Sequence, residues 1–106
     1  MTTASVECVP GGIRVSGEMT VYTASQIKQS LVDAITGSPA IVQLDLAGVS
    51  EFDTAGVQLL LLAHREALVS GRNLKLSAES RIVREVLALC GARGLLTGTP
   101  DMEDRP

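Results

Sequence analysis

The chain has no tryptophan, one phenylalanine (Phe52) and one tyrosine (Tyr22). Its core must therefore be built from Leu, Val, Ile and Ala, and it lacks the aromatic platform on which single-stranded nucleic acid stacks. Basic residues are few and scattered: nine Lys and Arg against twelve Asp and Glu give a net charge of −3. No basic footprint for a phosphate backbone results, so nucleic acid is not an expected partner. Long apolar runs are also missing. The longest, residues 59–63, is far too short to cross a bilayer, and the first residues carry no basic region followed by an apolar segment. A cytoplasmic location without membrane insertion is the default expectation. Cys8 and Cys90 are far apart, without CxxC spacing or a second ligand type nearby, so neither zinc nor thioredoxin-like chemistry is signalled and reduced, partly buried thiols are expected. The single histidine, His64, has no Ser, Cys or metal partner near it and reads as a residue at the core margin. A Walker loop, GxGxxG, HExxH and a nucleophile elbow are all absent. Catalysis by this chain alone is not expected, and no cofactor or metal is implied.

What remains is a well-patterned sequence of 106 residues, 45% hydrophobic, which suits one core. Residues 6–9 and 13–15 read as short strands reversed at Pro10-Gly11-Gly12. From 20 to 36 the apolar residues Val21, Ala24, Ile27, Leu31, Ala34 and Ile35 fall at helical spacing, and Gly37-Ser38-Pro39 stops the run. A strand is expected at 40–46, a helix at 54–70 ended by Gly71, a strand at 74–76 and a helix at about 80–90 ended by Gly91. In that last helix Ile82, Val83, Val86, Leu87 and Leu89 form the apolar side. A final short strand is expected near 95–96, and a polar, frayed tail over 98–106. The order β-β-α-β-α-β-α forces parallel crossovers. The expected fold class is α/β: one domain over 1–106 with its core at about 6–97, a mixed, mostly parallel sheet of four to five strands, and helices packed on it.

The most informative stretch is residues 40–57, where a strand pattern runs into a polar turn and then a helix start. Asp53 and Thr54 are both N-cap residue types, and Val57, Leu60, Leu61, His64 and Leu68 then recur at spacings of three and four. Thr54 thus sits where unpaired N–H groups and the helix dipole favour negative charge. The plainest role for its hydroxyl, or for the Asp53 carboxylate, is to cap the helix, worth about 1 kcal/mol. Gly56 either admits the backbone of a partner or relieves packing in the first turn. Leu59, Leu62 and Val69 fall opposite the inward face, beside Gln58, Arg65 and Glu66, and would form an exposed apolar group for a partner.

Gly17-Glu18-Met19, Leu44-Asp45-Leu46-Ala47-Gly48-Val49, Phe52-Asp53-Thr54-Ala55-Gly56-Val57 and Leu89-Cys90-Gly91, in this order and spacing, resemble a STAS domain, the fold of bacterial anti-sigma factor antagonists. The resemblance spans roughly 6–97 and implies a stand-alone, non-enzymatic regulatory interaction module acting in signal transduction and transcription regulation. It implies that Thr54, the hydroxyl residue after the Asp, is phosphorylated by a partner serine/threonine-type kinase, and that Asp53 belongs to the same site. Beside a phosphoacceptor, the alternative to capping for the Asp53 carboxylate is to orient the hydroxyl or a magnesium ion brought by the kinase. Family members bind the kinase and anti-sigma factor when unphosphorylated and leave it when phosphorylated. Family members more often carry Ser at the position of Thr54 and Asp at that of Thr20. The 19–24 and 53–56 segments also resemble STAS proteins of chemotaxis-type signalling, and the Asp-Thr-Ala-Gly turn resembles that of the STAS subunit that binds the ATPase of lipid-transporting ABC complexes. The implied partner surface is Glu18, Met19, Thr20, Tyr22, Asp53, Thr54, Ala55, Gly56, Gln58 and Leu62, on a monomer or weak dimer.

Overall fold

The computed structural model describes residues 4–92. Two antiparallel strands, β1 (Ala4–Val9) and β2 (Gly12–Met19), are joined at Gly11, whose φ of 81° makes the tight reversal. Helix α1 (Ala24–Thr36) follows, then β3 (Ile41–Phe52), α2 (Thr54–Val69), β4 (Asn73–Glu79) and α3 (Arg81–Leu89). The sheet order is β1-β2-β3-β4, with β2, β3 and β4 mutually parallel. Four strands are thus present among the described residues; the strand expected at 95–96 and the tail at 98–106 lie outside them.

Alternation along the strands divides the sheet into two faces. Ile13, Val15, Val42, Leu44, Leu46 and Leu74 join the buried residues of all three helices in one core. The alternate residues form a polar face, where Arg14 reaches Asp45 at 3.4 Å and Glu7 at 3.8 Å. At the far end of the helices Arg72 donates to the carbonyls of Thr36, Ser38 and Ser70, tying the C-terminal ends of α1 and α2 together. No helix among the described residues is long and apolar enough to cross a membrane.

Several expected elements shift, each for a physical reason. Helix α1 starts at Ala24 instead of residue 20, because Thr20 and Thr23 use their hydroxyls to close a turn, which leaves Val21 65% exposed. β3 extends to Phe52, since its second half pairs with β2 through two register shifts that local propensity does not reveal. On α2 the buried residues are Gly56, Val57, Leu59, Leu60, Ala63 and Ala67, while Leu68 is half exposed. Leu59 is therefore core and not partner surface: α2 is flanked by α1 as well as the sheet, so its buried arc turns toward Leu59 and away from Leu68. His64 does lie at the margin, half-buried. On α3, Val83 and Leu87 are fully buried, whereas Leu89, about 200° round the helix from Leu87, points outward. Cys8 and Cys90 are both exposed, one on the edge strand β1 and one at the C-cap of α3, and not partly buried.

Candidate functional site

The parallel strands β2 and β3 end side by side, with Met19 opposite Phe52 and Glu18 opposite Glu51. From there β2 enters the turn 20–23 and β3 enters α2, so two helix starts share one rim of the sheet. Asp53 joins them. Its backbone is extended (φ −134°, ψ −167°), as an N-cap requires, and its Oδ1 accepts from the N–H of Ala55 at 2.9 Å and of Gly56 at 3.3 Å. Its Oδ2 accepts from the N–H of Val21 at 3.2 Å, and its own N–H donates to the Met19 carbonyl at 3.4 Å.

Asp53 is consequently the cap of α2, and Thr54 is the first residue within the helix. The Thr54 side chain is exposed, and its hydroxyl makes no hydrogen bond among the described residues. Both carboxylate oxygens of Asp53 are already engaged by backbone N–H groups, a geometry that holds backbone together and is not directed at the Thr54 hydroxyl.

The adjoining turn is closed by Thr23, a residue the sequence reading passed over. Its hydroxyl accepts from Thr20 N–H at 3.0 Å and donates to the Glu18 carbonyl at 2.8 Å, and the side chain is 1% exposed. The Thr-x-x-Thr spacing ahead of a helical run was the available signal. The Thr20 hydroxyl accepts from Tyr22 N–H at 3.3 Å. The turn is thereby fixed from below while Tyr22 stands 81% exposed at its apex.

The ten residues of the expected surface separate by burial. Tyr22, Thr54 and Gln58 are exposed, and Glu18, Asp53, Ala55 and Leu62 are half-buried. Met19 is wholly buried and Thr20 nearly so, because both side chains turn into the fold beneath the turn. Gly56 is also buried: a Cβ there would lie 2.6 Å from the Met19 carbonyl oxygen and 2.6 Å from the Phe52 ring. Internal packing, and not the approach of a partner backbone, accounts for this glycine. Val69, expected in the same apolar group as Leu62, is exposed at the other end of α2. Leu62 instead borders a shallow groove of about 190 Å³ between α1 and α2, with Ala24, Lys28, Ala55, Gln58 and Leu59.

The family model described as "Mlab, STAS domain" matches residues 4–97. The chain belongs to the STAS domain family. Among solved structures, this STAS domain is similar to the anti-sigma factor antagonist SpoIIAA in its unphosphorylated form, with 28% identity, a TM-score of 0.64, and coverage of 88% of this chain and 84% of that one. It is also similar to an anti-sigma factor antagonist from Mycobacterium paratuberculosis, with 26% identity, a TM-score of 0.68, and coverage of 84% and 77%. The four-stranded mixed sheet with three helices is the architecture expected of a STAS domain. Shared with anti-sigma factor antagonists, it is the fold of a regulatory protein-interaction module.

Proposed function

We propose that this STAS domain is a non-enzymatic cytoplasmic regulator that binds a protein partner through the rim around Thr54 and is switched by phosphorylation of Thr54. The observation that carries the reading is the division of labour at the helix start. Asp53 does the capping, so the Thr54 hydroxyl is exposed and uncommitted, available to a kinase without cost to the fold. A phosphate there adds about −1.5 to −2 charges at neutral pH directly beside Asp53. A surface docked on this rim then meets both repulsion and the desolvation of a dianion, and it separates. The partner in this reading is a serine/threonine-type kinase and anti-sigma factor, as the likeness to anti-sigma factor antagonists supports, or a kinase of chemotaxis-type signalling.

The Asp53-Thr54-Ala55-Gly56 turn supports a second reading, in which the chain is a permanent subunit on the ATPase of a lipid-transporting ABC complex and Thr54 is a contact that is never modified. Intact mass of the protein from its native host, wild type against Thr54→Ala, separates the two. A phosphate-sized addition that the substitution abolishes is expected of the switch. An unmodified wild type that retains one stable partner, lost in Thr54→Ala, is expected of the permanent subunit.

A further inference from the structure

Resting on the reading of Thr54 as a phosphoacceptor, we propose that Asp53 is a positioning residue that transmits charge on Thr54 to the Val21–Tyr22 turn, so that phosphorylation unlatches a second piece of the docking surface.

A single planar carboxylate serves two segments distant in sequence. Oδ1 holds the first turn of α2 through Ala55 and Gly56, and Oδ2 holds the apex of the 20–23 turn through Val21 N–H. The two oxygens move together, so a rotation that releases one withdraws the other. Within the turn the remaining bonds are its own, through Thr20 and Thr23; the Asp53 N–H, which donates to the Met19 carbonyl at 3.4 Å, holds the base of the turn, so among the described residues the carboxylate is the only side chain that ties its apex to α2. The turn displays Val21 at 65% and Tyr22 at 81% exposure, two large apolar side chains on a backbone held by the bonds of Val21 N–H and Tyr22 N–H. Exposed apolar groups presented by a fixed backbone suit a docking anchor, because little ordering cost is left for binding.

A phosphate on Thr54 acts on Asp53 in two ways. Its oxygens compete for the same helix N-terminal N–H groups, and its charge repels the neighbouring carboxylate. Either displaces Asp53 and leaves Val21 N–H without its acceptor. Val21 and Tyr22 then lose their fixed presentation, and the partner loses an anchor as well as meeting a dianion.

The composition supplies a probe. With one tyrosine and no tryptophan, intrinsic fluorescence reports on Tyr22 alone. The test compares the full chain prepared with phosphothreonine at position 54 against the unmodified chain, each with and without Asp53→Ala. It follows Val21 amide hydrogen exchange by NMR and Tyr22 fluorescence anisotropy. In wild type, phosphorylation is expected to speed Val21 exchange about tenfold and lower Tyr22 anisotropy, with the amides of Val42 and Leu44 unchanged. Asp53→Ala is expected to do the same unphosphorylated, and phosphorylation to add nothing further. The proposal is overturned if Val21 and Tyr22 are unchanged in the folded phosphoprotein, or if phosphorylation loosens the turn equally without Asp53. The comparison within wild type stands even if Asp53→Ala does not fold. Because the phosphate is installed rather than awaited, failure of the latch is distinct from finding Thr54 unmodified in the host, which would overturn the switch reading alone.

Discussion

At position 53 one carboxylate accepts from three backbone N–H groups, while the hydroxyl next to it accepts from none. Stability and regulation are thereby assigned to different side chains. Asp53→Ala removes a cap and leaves Val21 N–H unpaired, and is expected to cost about 1–2 kcal/mol in urea unfolding. Thr54→Ala is expected to stay within about 0.5 kcal/mol of wild type, since nothing in the fold depends on its hydroxyl. The reverse order of the two costs would mean that Thr54 is the cap. From sequence both residues are N-cap types at adjacent positions, and local propensity does not choose between them. The choice is made by the extended backbone of Asp53 and by the N–H of Val21, 32 residues away. For the same reason Met19 and Thr20 read as surface: a motif shows which residues are near a site, whereas burial shows which of them a partner can touch.

Among the elements, existence and type were legible for those described, and the edges moved where long-range pairing overrides local pattern. Residues 47–52 read as a polar turn because Gly48, Ser50 and Glu51 are poor strand formers, yet Gly48, Val49, Glu51 and Phe52 pair with β2 from Ser16 to Met19. Helical periodicity gave the length of α2 but misplaced its inward face, because a helix wedged between a sheet and a second helix buries a wider arc than one packed on a sheet alone. A paired truncation tests the observed arc. Leu59→Ala, at a site 5% exposed, is expected to lose about 2–4 kcal/mol, and Leu68→Ala, at 51%, close to nothing. The reverse order of losses in denaturant unfolding would return α2 to the orientation that periodicity alone indicates.

Taken as a whole, the molecule was read from the order of its elements, which was enough to give a mixed sheet covered by helices. The environment of the cysteines was not legible, because composition says nothing about which strand becomes an edge or which residue ends a helix. With Cys8 and Cys90 both exposed, a thiol reagent is expected to titrate two equivalents under native conditions without waiting for unfolding. Titration that requires denaturant would contradict their placement. The parallel strands also give the molecule two poles. Cys8 pairs with Ile13 beside the Gly11 reversal, whereas Met19 and Phe52 meet at the opposite end of β2, roughly 20 Å away. A protein tethered to a sensor chip or a bead through Cys8, with Cys90 replaced by Ser, therefore comes to rest with the Thr54 rim facing the solution.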